Sequence, residues 1–448
     1  MDSCAANDLS RSLLSRHVTM ISIGGIIGAG LFVGSSAAIA AAGPAILISY
    51  CAAGLIVLFV MRMLSEMAVA HPQVGSFTEY VRLGLGARGG FVVGWLYWYF
   101  WVVVVAIEAI AGAGVIALWI PLPVWQIGLA LMIVLTAVNL MSARSYGEFE
   151  FWFSSIKVGA IVAFIVLGAA AVFGLKPTAG AGFANLIAHG GFVPNGWGSV
   201  VTGVVTVIFS LCGAEIVTVA AAESQASVAV ISRLTLTIVL RILLFYVLAI
   251  LLILCIVPWN QIEPGTSPFG LALARIGIPG VETLMNFIVL TAVLSCLNSG
   301  VYVTSRVLMR LAQHGDAPQA LVKLSRRRVP ARAILIGSSF GYGAVIASVV
   351  SPSQVFAFLV NASGALMLVI YLLAAVAQIN LRRRLEAEDP QKLAVRMWGF
   401  PWLSYAVIAA IAAVLLGMLG RPSSATEFYT SLLCVAVVVA ASWLRRAA

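Results

Sequence analysis

Three ionisable residues lie deep inside apolar stretches of this chain: Glu108, Lys157 and Glu215. Placing a charge at the middle of a membrane helix costs about 2.5–3.5 kcal/mol on insertion scales, so such residues usually face a cavity and carry function. The other reading of all three is interhelical salt bridges that serve only stability. Glu223 lies nearer the end of its stretch. Arg62 and Glu66, four residues apart near an interface, read as a structural pair on one helical face.

Other chemistry finds no matching set. The histidines at 17, 71, 189 and 314 all fall outside the apolar stretches, which argues against a buried Ser–His hydrolase and a histidine-bound metal. No Walker, HExxH or redox CxxC pattern occurs. The cysteines at 4, 51, 212, 255, 296 and 434 are scattered singly and read as packing residues, without disulfide or metal spacing. No catalytic residue, cofactor or metal is expected, and the chain does not read as an enzyme.

These residues are carried by an unusually apolar chain. Of 448 residues, 62% are hydrophobic and 9% charged, too much apolar surface for a soluble core. A spanning helix needs about 20 predominantly apolar residues. Twelve such spans are expected, at 18–41, 45–69, 91–119, 124–142, 150–174, 198–221, 237–257, 282–311, 333–350, 354–380, 401–420 and 427–444. The expected class is therefore an all-α polytopic membrane protein with one membrane domain. The polar tail 1–17 shows no cleavage pattern and is expected to remain in the mature protein.

The net charge of +10 follows topology rather than nucleic acid. With twelve spans, twenty-two Lys and Arg fall on the side of the N-terminus, against Lys176, Arg275 and Arg421 on the other. That bias places both termini in the cytoplasm. "SRRR" and "LRRR" are topology signals first and anionic-lipid contacts second. No protein partner is evident.

One stretch works against a regular helix. "SIGGIIGAGLFVG" (22–34) puts five glycines inside the first span, each costing about 1 kcal/mol relative to alanine. Close packing is one reading, since Gly24/Gly28 and Gly30/Gly34 keep a small-xxx-small spacing. The other is an interruption at Gly28-Ala29-Gly30, where backbone N–H groups would hold an anionic group at mid-membrane. "FSLCGAE" (209–215) offers a second interruption about halfway along the sixth span, at the distance an inverted repeat of five helices would set.

The ordered motifs "SRHVTMISIGGIIGAGLFVGS", "RMLSEMAV", "GWLYWYFW", "YGEFEFWFSSIKV", "GAEIVTVAAAES" and "CLNSGVYVTSRVLMRLAQHGDAP" carry a resemblance running from about Ser15 to Pro422. The chain resembles bacterial amino acid transporters of the amino acid–polyamine–organocation superfamily. Its closest likeness there is to the γ-aminobutyrate (GABA) permeases, in "SRHVTM", "EFEFW", "GAEIVT" and "SCLNS". The resemblance implies a core at 18–380, made of inverted repeats at 18–174 and 198–380 with discontinuous first and sixth helices. Two peripheral helices and a short cytoplasmic tail would fill 381–448.

The same resemblance implies roles. Gly28, Ala29 and Gly30 would be the unwound turn holding a substrate carboxylate. The carbonyls of Ile26, Phe209 and Cys212 would accept from its ammonium, with Phe209 closing over the substrate and Gly213 permitting the second break. Glu108 would line the pocket, and Glu215 would act in coupling or gating. Lys157 matches the lysine that replaces a bound sodium ion in proton-coupled relatives, with Ser295, Asn298 and Ser299 facing it. Ala109, Asn361 and Ser363 are further candidates for the pocket. After "AAAES" the chain departs from the family, replacing a proline and several charges with "QASVAVISRLTLTIVLRI".

The implied function is import of a small amino acid by proton symport and alternating access in a bacterial inner (cytoplasmic) membrane. GABA or a related ω-amino acid is the expected substrate. A sister permease for alanine or glycine, proline or an aromatic amino acid, or an amino acid exchanger, is the alternative. A channel would need a ring-forming pore motif, which is missing from the sequence, and a nutrient sensor would need a signalling domain.

Overall fold

The computed structural model of the chain describes residues 20, 26–72, 74, 76–141, 143–176, 178–216, 228–278, 280–349, 352–420 and 422–444. The tail 1–17, Gly24, residues 217–227 with Glu223, Arg421 and the terminal arginines 445 and 446 lie outside them.

The described residues form helices and no strand. Lipid explains this, because a spanning segment must satisfy its own backbone N–H and C=O groups. The helices are α1 (Ser35–Ala42), α2 (Ile46–Ala70), α3 (Phe77–Ile116), α4 (Val124–Asn139) and α5 (Ala143–Val172). They continue with α6 (Trp197–Leu211), α7 (Val228–Ile256), α8 (Pro268–Ile276) and α9 (Val281–Gln313). Last come α10 (Ala331–Ala347), α11 (Pro352–Glu388), α12 (Trp402–Gly417) and α13 (Pro422–Leu444).

Among the described residues, eight helical runs are long and apolar enough to cross a membrane, and α4, α6 and α10 are apolar but shorter. The first two expected spans share one run, Gly30–Ala70. A straight helix of that length would reach about 60 Å, twice a bilayer's hydrocarbon core. It is broken at Gly43, whose φ of 62° no ordinary side chain adopts comfortably, and Pro44 follows. The sixth expected span is short because α6 stops at Leu211.

The centre is built on α3, which packs along both α9 and α11. Trp101, Tyr97 and Phe100 fill its buried face. Small residues allow close approach, and a Cβ on Gly84 would lie 2.6 Å from the Ala377 carbonyl oxygen. Polar pairs bridge helices within the apolar interior. Asn139 donates to Asn298 at 2.7 Å, Thr136 to Ser338 at 3.1 Å and Thr206 to Asn361 at 2.9 Å. Such bonds average about 0.6 kcal/mol in membranes, so they set register more than they hold the fold.

The two ends differ. At the arginine-rich end, Glu66 of α2 accepts from Gln378 at 2.7 Å and Arg382 at 2.6 Å, both on α11. The backbone N–H of Met397 donates to the same carboxylate. The expected Arg62–Glu66 pair is thus replaced. Arg62 donates to the Arg396 carbonyl and lies over the Trp398 ring, because a long guanidinium near the interface reaches outward while the buried acid is met from α11. At the other end a cavity of about 610 Å³ opens, lined in part by Val33, Ile110, Ala111, Glu263, Thr266 and Asn286. Phe269 of α8 is wedged beside it against Phe32 and Phe164, ring centres 5.0 and 4.7 Å away.

Candidate functional site

The first interruption is a bend at Ile27 and Gly28, followed by a π-helical turn over Gly30–Gly34. Room is what its glycines supply. A Cβ on Gly28 would lie 2.5 Å from Glu108 Oε1 and 2.8 Å from Cys296 Sγ. On Gly30 it would lie 2.7 Å from Ser210 Cα, backbone of α6. Gly34 is different, its nearest neighbour being the Ala29 carbonyl oxygen at 3.6 Å. Close packing therefore operates at Gly30 but not at Gly34, and bend and packing coexist rather than compete.

The second interruption follows α6. Cys212 turns to an extended conformation, and Gly213 takes φ 113°, a value that favours glycine. Helix resumes only at Ile216. The two interruptions meet, since Ile26, Gly28, Gly30, Phe209 and Cys212 line one small cavity with Glu108. Its volume of about 10 Å³ would barely hold a water molecule, so the site is contracted around its own side chains.

A buried carboxylate sits at each break. The N–H of Ala29 donates to both oxygens of Glu108, at 3.1 and 3.0 Å. The N–H of Gly213 donates to both oxygens of Glu215, at 3.2 and 3.1 Å, and the hydroxyls of Tyr97 and Tyr371 add bonds of 3.3 and 3.2 Å. Interrupting a helix frees backbone donors at a depth where water cannot satisfy them, and an anion is the group they suit.

Lys157 of α5 is fully buried, with Glu150, Cys296 and Glu108 within electrostatic reach. Ser295 hydrogen-bonds Glu150, and Ser299, one turn along α9, also reaches that acid. Asn298 instead pairs with Asn139 of α4. Ala109 is buried beside Met132 and Val345, in a cluster separate from the cavity. Asn361 accepts from Thr206, and Ser363 lines a different cavity of about 40 Å³ beside Thr430 and Ser431. None of these last three lines the Glu108 cavity.

Residues not singled out in the sequence complete the site. Tyr246 of α7 donates to the Ile26 carbonyl at 3.1 Å, while Trp101 and Cys296 line the cavity. Glu150 belongs to the same group. A usable signal did exist, because Glu150 and Lys157 are seven residues apart and so share a helical face.

A polytopic helical protein with two interrupted helices meeting at a buried, charged cavity has the architecture of a membrane transporter. The crystal structure of a histidine-to-alanine mutant of the Eremococcus coleocola manganese transporter covers 95% of this chain and 92% of its own, with TM-score 0.60 and 12% identity, a likeness of fold alone. The amino acid permease family model matches residues 17–446, and the chain belongs to that family. The γ-aminobutyric acid permease of Bacillus subtilis (strain 168) is 48% identical over 412 residues, 92% of this chain and 88% of that one. A probable GABA permease of Pseudomonas aeruginosa is 47% identical over 437 residues, 96% and 91% of the two chains. This protein is accordingly a multi-pass membrane protein and an amino acid permease.

Proposed function

We propose that the protein imports GABA, or a related ω-amino acid, by proton symport and alternating access. The observation that carries this reading is the meeting of two interrupted helices in one cavity, with a carboxylate on the backbone N–H at each break. The likeness to GABA permeases over nearly the whole chain supports the substrate.

A zwitterion brings its own carboxylate to the Gly28-Ala29-Gly30 turn, where Glu108 now sits. Two carboxylates cannot share one backbone donor, so Glu108 yields the Ala29 N–H and turns to the arriving ammonium. For an ω-amino acid that ammonium lies well away from the carboxylate, which suits an acid from α3 better than an α-amine clamp. The carbonyls of Ile26, Phe209 and Cys212 supply further acceptors, Phe209 closes over the ligand, and Gly213 lets the second break flex. Glu215 holds that break to α3 and α11 through Tyr97 and Tyr371.

Lys157 carries the coupling proton in place of a metal or cofactor, and Ser295, Asn298 and Ser299 transmit its state along α9. GABA is net neutral, so the proton alone senses membrane potential, at about 2.3 kcal/mol per 100 mV. That sustains a concentration ratio of roughly fifty, since each 1.4 kcal/mol is tenfold. The 610 Å³ cavity and the stitched arginine-rich end fit an outward-facing conformation contracted at its centre. In this reading twelve spans form a ten-helix inverted-repeat core with two peripheral helices, both termini are cytoplasmic, and the membrane is the bacterial inner membrane.

The test is uptake of labelled GABA into proteoliposomes containing only this protein, without sodium, with an inward proton gradient on or off. Gradient-dependent accumulation is expected, competed better by other ω-amino acids than by α-amino acids, and lost in Lys157→Ala. Accumulation of alanine, proline or an aromatic amino acid instead would move the substrate to a sister group. Transport only against a preloaded amino acid would make the protein an exchanger.

A further inference from the structure

Glu150 is a fully buried carboxylate for which neither packing nor the substrate cavity accounts. It stands on α5 near its arginine-rich end, and Lys157 follows two turns deeper on the same face, about 10 Å along the axis. Glu108, on α3, is within electrostatic reach of Lys157. One buried base thus lies between two buried acids, one at the substrate and one towards the cytoplasmic side. Burying an unpaired ion costs several kcal/mol, so each of these charges depends on the others.

The hydrogen bonds of Glu150 are lopsided. Ser295 of α9 bonds Oε1, Ser299 also reaches the carboxylate, and the Ser154 hydroxyl lies 3.3 Å from Oε1 and 2.8 Å from the Met20 carbonyl. Oε2 is buried without a hydrogen-bond partner among the described residues. One oxygen is held and the other is open, which is what an acceptor of a mobile proton requires. Glu66, Glu215 and Glu108 are committed elsewhere, to Arg382, to Gly213 and two tyrosines, and to Ala29. Glu427 and Asp316 also keep one buried oxygen without a hydrogen bond among the described residues, but neither stands beside Lys157.

We infer that Glu150 is the inward acceptor of the driving proton, taking it from Lys157 and held in place by Ser295. The inference rests on the symport reading above. An N–H bond of the Lys157 ammonium breaks, its electron pair stays on Nζ, and an O–H bond forms at Glu150 Oε2. An ion pair becomes two neutral groups, and the proton leaves to cytoplasmic water once that end opens. Neutral Lys157 then no longer attracts Glu108, so the transfer also loosens the substrate site. The other titratable groups facing this chain of charges are Cys296 from α9 and Tyr246 from α7.

The experiment compares wild type, Glu150→Gln and Ser295→Ala in proteoliposomes. It reads gradient-driven GABA accumulation, GABA counterflow without a gradient, and uptake against pH. Glu150→Gln should keep counterflow, though slowed, and lose accumulation by about tenfold or more, the scale of one charged hydrogen bond. Ser295→Ala should shift the pH of half-maximal uptake. Wild-type accumulation and proton dependence in Glu150→Gln would overturn the inference. If that variant loses counterflow too, Ser295→Ala decides, an unshifted pH profile overturning the inference and a shifted one supporting it. Gradient-independent uptake by the wild type would instead overturn the symport reading, and this inference with it.

Discussion

Glu108 and Ala29, on different helices and 79 residues apart, are joined by a carboxylate that takes one backbone N–H with both of its oxygens, at 3.1 and 3.0 Å. The acid occupies the donor that an amino acid's carboxylate would need, at the bend where Gly28 leaves just enough room for it. On the proposed function, substrate entry is exchange of one carboxylate for another, not filling of an empty hole.

That exchange predicts the behaviour of Glu108→Gln. The amide oxygen can still accept from Ala29, so the folded protein should survive. What is lost is a negative charge for the ammonium. A hydrogen bond to a charged group contributes roughly 1.5–3 kcal/mol, so KM for GABA should rise about ten- to a hundredfold. KM in proteoliposomes, read beside thermal stability in detergent, checks this. A stable variant with unchanged KM would reduce Glu108 to a cap on the bend.

The glycines of the first interruption should rank by what a methyl group meets. Gly30→Ala drives a Cβ to 2.7 Å from α6 backbone, which has no flexible end to move aside. Gly28→Ala meets Glu108 and Cys296 side chains, which can shift but only by disturbing the site. Gly34→Ala meets ordinary contact at 3.6 Å. Transport should be abolished in the first, strongly reduced in the second with protein still inserted, and near wild type in the third. Overpacking a tight site typically costs about 1–3 kcal/mol. Equal behaviour of Gly30→Ala and Gly34→Ala, in uptake normalised to inserted protein, would count against the close approach to α6.

Much of this was legible in the chain because lipid is an unforgiving solvent. Apolar runs must be helices there, and Glu108, Lys157 and Glu215 are conspicuous where charge is costly. The breaks could be located from Gly28 and Gly213, since glycine at mid-span needs a reason. Glu150 was legible only through its seven-residue spacing from Lys157, and its burial was not. It falls at the edge of an expected span, where an acid reads as interfacial, and its burial comes from α9 lying across it. Tyr97, Tyr371 and Tyr246 were hidden for another reason: a tyrosine in an apolar helix looks like packing until its hydroxyl has a partner on another helix. Arg62 and Glu66 show that i,i+4 spacing permits a pair without choosing it. Arg382 was the better-placed cation, and only the fold brings α11 to α2.

The tyrosines at Glu215 can be separated from the backbone donor. Tyr97→Phe and Tyr371→Phe each remove one hydroxyl and leave Gly213 N–H in place. Either change should cost about 1.5–3 kcal/mol, and because both act on one buried carboxylate the double variant should depart from the sum. Thermal unfolding of the four proteins, with initial uptake rates, completes the cycle. Strict additivity would mean that the two hydroxyls do not share Glu215.

The clamp at the arginine-rich end ties α2 to α11 and to the segment that follows it. Glu66 is 2% exposed and Arg382 6% exposed, 2.6 Å apart, and Glu66 also accepts from Gln378 and from the Met397 backbone N–H. Glu66→Ala would leave a guanidinium buried without its carboxylate, and breaking a buried pair from one side costs about 3–5 kcal/mol. Arg382 retains Glu386 one turn away at 2.7 Å, which should soften the loss. Replacing both partners, as Glu66→Leu with Arg382→Met, removes the stranded charge and should recover most of the stability. Transport should not recover with it, because an apolar contact at that end has no reason to part and re-form with each cycle. Melting temperatures of the single and double variants, with inward and outward GABA flux, separate the two roles. Recovery of flux together with stability would make the clamp a matter of folding alone.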